Sequence, residues 1–139
     1  MKAQELRIGN IINMPFLGLY DGVVVEGIAK VYEKDSIFIQ SKKLVGKNDQ
    51  YFFETPEKYE PIHLTEEWLV KSGFKKQQTI DYCNRWYIGE NPVTHDWLFS
   101  LVWLAGHLTP FFQNGYLQIK YVHQLQNLYF ALTGEELSL

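Results

Sequence analysis

Through the first sixty residues short apolar runs are separated by polar and turn residues, and no helical period interrupts them. Leu6, Ile8, Ile11 and Ile12 predict an opening strand kinked at Gly9-Asn10, a pair suited to a bulge or turn. Asp21-Gly22 separates the apolar run at 16–20 from Val23-Val24-Val25. It predicts a hairpin, because a type I′ turn needs positive φ at both central residues. Lys34-Asp35 predicts a turn between strands at 29–32 and 36–39, and Gly46-Lys47-Asn48-Asp49 a break before Tyr51-Phe52-Phe53. Closely spaced strands with tight turns predict a meander curled into an SH3-like barrel, followed by a short connection over 56–61.

From residue 61 the pattern changes. Thr65 is placed to cap a helix over 66–72, Glu66 and Glu67 suit its positive end, and Leu64 and Leu69 form a hydrophobic staple. Gly73 suits the left-handed position after it, with Phe74 folding back onto Leu69. Two turns cannot stand alone, so Trp68 and Leu69 should pin the helix to a sheet. Strands are expected at 79–88 and 97–104, then a hairpin of 108–113 with 116–120 around Asn114-Gly115, with Pro110 at an edge or bulge. Val122, Leu125, Leu128, Tyr129 and Leu132 form one stripe of a helix over 120–133, stopped by Gly134. Glu135 and Glu136 then lie at the unfavourable end of its dipole, either solvated or answered by a basic group. The expected fold class is α+β. A β lobe over 1–60 and an α+β lobe over 61–139, an antiparallel sheet with a short helix and a C-terminal helix, should form one compact unit.

Composition sharpens this picture. A chain of 139 residues can bury about two-thirds of its extended surface, leaving roughly 7,500 of 24,000 Å². Nine Phe, nine Tyr and four Trp argue against disorder. Thirteen basic against sixteen acidic residues give a net charge of −3, so global charge does not favour duplex nucleic acid as a partner. The most apolar stretch, 97–105, is half the length of a membrane span and contains Ser100, so no membrane partner is expected. The N-terminus lacks the apolar run of a signal peptide, and the one cysteine, Cys83, cannot form an internal disulfide. A cytoplasmic location is the expectation.

Reactive chemistry has little to build on. His63, His95, His107 and His123 show no i, i+4 pairing; His95, His107 and Cys83 would have to converge in the fold to make a metal or nucleophile site. No Gly-x-Ser-x-Gly elbow and no phosphate-cradling glycine loop are present. The expectation is a non-enzymatic protein without a cofactor. Aromatic residues are the surplus: Tyr51-Phe52-Phe53, Trp86-Tyr87, Trp97, Trp103, Phe111-Phe112 and Tyr116 exceed what a core of this size requires. Adjacent strand residues point to opposite faces, so one of each pair faces outward or into an interface. Arg85, Trp86, Trp97, Trp103, Phe112 and Tyr116 form the candidate ligand site, rings for stacking with an arginine for negative charge. Lys42-Lys43 with Lys47, and Lys71 with Lys75-Lys76, are solvated faces or phosphate contacts. The polar side of the last helix, His123, Gln124, Gln126 and Asn127, can hydrogen-bond a partner or a neighbouring strand.

Three segments are informative together: Glu5-Leu6-Arg7-Ile8-Gly9-Asn10, the stretch 61–69 (PIHLTEEWL) and the stretch 119–137 (IKYVHQLQNLYFALTGEEL). Together they span about a quarter of the chain and resemble a family of small uncharacterised proteins carried by phages and mobile elements of gut-type bacteria. His63 and Ser72 depart from that pattern. The resemblance brings no catalytic residue; it implies a phage-type accessory protein in a bacterial cytoplasm. The expected function is therefore binding, either sequestration of a small anionic or nucleotide-like ligand or blockade of a host defence protein. A nucleic-acid-associated module and a structural homo-oligomer are the alternatives.

Overall fold

The computed structural model describes residues 2–15, 19–31, 36–43, 50–78, 83–90, 97–104, 110–112 and 117–138. It is α+β, with two antiparallel sheets and a C-terminal helix. The first sheet is a meander of β1 (Ile11–Met14), β2 (Leu19–Val31), β3 (Ser36–Lys43) and β4 (Tyr51–Glu54), in sequence order. Breaks in register between Ile12 and Met14, and between Val25 and Gly27, curl it. A 3₁₀ turn at Pro56–Lys58 leads to α1 (Glu66–Lys71). The second sheet, β5 (Lys75–Gln78), β6 (Cys83–Glu90), β7 (Trp97–Leu104), β8 (Phe111–Phe112) and β9 (Leu117–Gln118), also runs in sequence order, and α2 (Val122–Thr133) ends the fold.

Several expectations change. Asp21-Gly22 does not turn the chain: β2 runs through it, and Met14 pairs with Leu19, four residues before Val23 pairs with Ile12. The positive φ of Gly22, 94°, serves the register break inside the strand rather than a hairpin. Leu6 and Ile8 are outside any strand, in a loop where Gly9 takes φ 91°. Lys75 and Lys76, read from sequence as a solvated face or phosphate contacts, open strand β5, which the polar run KKQQ gives no propensity to form; pairing with β6 makes it. The turns expected at Lys34-Asp35, Gly46–Asp49 and Asn114-Gly115 lie outside the described residues.

The short helix ends as its sequence dictates. Phe74 N donates to Leu69 O and Gly73 N to Val70 O, the paired bonds of a Schellman motif, with Gly73 at φ 80°. Thr65 occupies the N-cap backbone position without a side-chain bond. Ser72, where a large apolar side chain fits the resemblance, is buried with its hydroxyl donating to Trp68 O. Leu64 and Leu69 enter the same core.

That core has two parts, and β1 separates them. Ile12, Met14, Val23, Val25, Ile39 and Tyr59 fill the inside of the curled sheet. Ile11 and Val24 point the other way, into a larger cluster with Trp86, Phe99, Leu101, Val122 and Leu125. The uninterrupted apolar runs at Ile11-Ile12 and Val23-Val24-Val25 thus belong to strands buried on both faces. The second lobe covers the outer face of the first sheet at β1 and the start of β2.

Candidate functional site

The positions marked by sequence divide between the two faces of the second sheet. Arg85 is half-buried, in register with Gln77 and Val102. Trp86, the next residue, points the opposite way and is only 2% exposed. Trp103 and Phe112 pack against the same cluster, Phe112 stacking 4.9 Å from Phe99. These three rings join one cluster that α2 also enters, and Trp86 is enclosed in it. The backbone of Trp97 pairs with Glu90. Its side chain, that of Cys83, and all of Tyr116, His95 and His107 lie outside the described residues.

Around this core the polar chemistry is sparse. The indole N–H of Trp86 has no hydrogen-bond partner among the described residues, while Lys76 Nζ stands 5.3 Å from its ring centroid and 3.1 Å from both Glu66 carboxylate oxygens. Gly73, Lys75, Tyr87, Ile88 and Gly89 line a shallow cleft of about 70 Å³. That is less than the roughly 300–1,000 Å³ that encloses a small ligand. Among the described residues there is no cluster of three metal-ligating side chains, and no helix long and apolar enough to cross a membrane.

The stretches 5–10, 61–69 and 119–137 converge on a second polar region. Leu64 N donates to Lys120 O and Val122 N to Ile62 O, joining the middle segment to the start of α2. Gln126 takes the N–H of Ile11 on its Oε1 (2.9 Å) and gives its Nε2 to Gly9 O (3.0 Å). Asn10 accepts from Arg7 N and donates to Asn127 Oδ1, and Asn127 Nδ2 donates to Glu5 O. Arg7 forms a two-pronged pair with Glu136 and lies 3.7 Å over the Phe130 ring. The basic group that answers the helix-end carboxylate therefore comes from this chain. The amides of the last helix bond the N-terminal loop and β1, which makes this region a clamp between lobes.

Inside the clamp His123 is 1% exposed, and neither ring nitrogen has a hydrogen-bond partner among the described residues. Its ring stacks on Tyr121 with an interplanar angle of 8°. Burial holds its pKa below the ordinary histidine value, against a weaker opposing pull from Glu5. Tyr59, in the other core, donates to Ile39 O, so the Ser41 hydroxyl must donate to Tyr59 Oη. Burial raises the pKa of that phenol.

The exposed aromatic surface is on the first sheet. Ser41 and Phe52 are in register and face inward. Their neighbours Gln40, Lys42, Tyr51 and Phe53 therefore face outward, and the two rings are each 52% exposed. Phe38 stacks on Phe53 with centroids 4.9 Å apart and planes 5° from parallel. Lys42 Nζ stands 5.6 Å from the centre of the Tyr51 ring. On β2, Gly27 and Ala29 are in register with Gln40 and Phe38, and being small they leave a low floor beside the rings. The outer face that α2 covers at β1 is thus open at β3 and β4, where it forms a shelf of three rings, an amide and an ammonium. Sequence reasoning singled out Tyr51-Phe52-Phe53 but left it out of the candidate site, and passed over Phe38 and Gln40. Alternation in Phe38-x-Gln40-x-Lys42 was the available signal.

Comparison with protein-family models, with characterised proteins and with solved structures finds no match to this chain.

Proposed function

We propose that this chain is a non-enzymatic binding protein that holds nucleotide units on the outer face of its first sheet, a sheet we read as an SH3-like barrel. The observation that carries the reading is the shelf itself, Tyr51 and Phe53 half-exposed on one strand with Phe38 stacked behind and Lys42 at its end. Flat apolar rings left in water favour a flat ligand, since base–aromatic stacking contributes about 1–3 kcal/mol per base. The Lys42 ammonium supplies charge complementary to phosphate, and the exposed Gln40 amide can both donate to and accept from a base edge. This moves the stacking surface from the second sheet, where Trp86 is enclosed, to the first.

The resemblance read in the three clamp segments supports a bacterial cytoplasm as the setting of this activity. There, holding host nucleotides or nucleic acid would serve counter-defence. The test is a titration of the isotopically labelled protein with uridine and adenosine nucleotides, followed through its backbone amides. Shifts should concentrate in 38–43 and 51–54. Nucleotides at millimolar concentration that leave those amides unmoved would refute the reading.

A further inference from the structure

Resting on that reading, we infer that the nucleotides are consecutive units of an unpaired RNA or DNA strand lying along β4, not free mononucleotides. The shelf is open. A site for one small molecule buries most of its ligand, whereas Tyr51 and Phe53 stand on an edge strand with the small residues Gly27 and Ala29 on the far side of β3. Each ring can therefore give a base stacking from one side only, and useful affinity requires several such contacts in one ligand.

Spacing and charge point the same way. Tyr51 and Phe53 are two residues apart on one strand, about 6.6 Å by the rise of a β-strand. That is close to twice the 3.4 Å step of a helical strand, the separation of neighbouring bases in a stretched one. Lys42 is in register with Tyr51 and stands against its ring, at one end of this track. The nearest carboxylate bearer on β2 is the exposed bulge residue Glu26, two strands or about 9.6 Å from β4. Glu54, on β4 itself, alternates to the inner side with Phe52, where it acts on Tyr59, so a strand along the outer face of β4 meets the ammonium and not these carboxylates. A duplex would offer the rings no free base faces.

The test uses the full chain with fluorescein-labelled oligo-uridylate and oligothymidylate of about ten nucleotides, within the usual site sizes, against UMP and TMP as competitors. The oligonucleotides should bind about 100-fold more tightly than the mononucleotides. Y51A and F53A should each weaken binding by about 5- to 150-fold, with F53W restoring it. Log affinity should fall with log salt at a slope of about −0.7, one phosphate for Lys42. Preference between the two oligonucleotides would identify the strand and support the inference. Mononucleotides binding as well as oligonucleotides would overturn the strand while leaving the stacking reading intact. Binding of neither would overturn both. Unchanged affinity in folded Y51A and F53A would overturn the site. A dimer that F53A dissociates, with no oligonucleotide bound, would assign the shelf to a second copy of the chain and overturn the inference.

Discussion

The two sheets use their aromatic residues in opposite ways. In the second, Phe99 is a hub, edge-on to Phe74 at 5.9 Å, stacked with Phe112 at 4.9 Å and tilted against Tyr129 at 5.6 Å, so its ring is enclosed by strand, loop and helix. In the first, Phe53 touches Phe38 on one side and water on the other. Both residues lie on antiparallel strands and both have aromatic partners. What separates them is α2, which packs into the cluster of the second sheet and meets the first sheet at β1, away from Phe53. An aromatic-rich strand is therefore not a site in itself; it becomes one where the packing leaves it uncovered.

Substitutions can sharpen or break that contrast. Phe99→Ala should cost about 3–5 kcal/mol in chemical denaturation, the usual loss for an enclosed ring. A cost near that of an exposed residue would erase the distinction between the sheets. Gln126→Ala should come next, because it leaves the Ile11 N–H and the Gly9 carbonyl without their side-chain partner at about 1–3 kcal/mol for each group left buried. Its signature would be faster hydrogen exchange at Ile11 with β3 and β4 unaffected.

The third prediction concerns His123, whose folded pKa is depressed. The unfolded chain then takes up the proton first. The stability contributed by the neutral ring is complete above the unfolded value of about 6.5 and is lost as pH falls below it toward the lower folded pKa. Thermal unfolding between pH 7 and 5 should show this loss, and His123→Phe should lessen it. An unchanged pH profile in His123→Phe would mean that other groups carry the acid sensitivity. The smallest effect is expected for Phe53→Ala, under about 1.5 kcal/mol, the scale of one aromatic pair. Its fall in nucleotide affinity should be the larger change. Destabilisation comparable with Phe99→Ala would show Phe53 to be core.

The clamp joins three stretches far apart in the chain, 5–10, 61–69 and 119–137. Side chains join Arg7 to Glu136 and Asn10 to Asn127, Gln126 bonds the backbone of Gly9 and Ile11, and 61–69 meets the start of α2 through backbone bonds. These stretches form the joint that docks α2 on β1, while the shelf residues lie outside them.

Local signals were legible wherever one residue fixes the backbone. Gly73 ended α1 and Gly134, at φ 75°, ended α2, because only glycine takes that conformation without strain. Asp21-Gly22 carried the same signal and was assigned the wrong structure: positive φ serves a bulge as well as a turn, and pairing with β1 decides between them. Strand β5 was invisible because Lys75-Lys76-Gln77-Gln78 has no apolar member, and its order comes from the partner strand. The candidate site was half legible. Alternation correctly separates Phe52 from Phe53 and Arg85 from Trp86, yet it does not say which of the two directions is solvent.

By itself, then, the sequence determined the strand periods, both helices and the opposite orientation of neighbouring side chains, since these depend on backbone geometry within a few residues. The tertiary structure decided which faces are covered. That depends on α2 reaching back more than a hundred residues to β1, through contacts such as Gln126 to Ile11, and no local pattern encodes where a distant helix will dock.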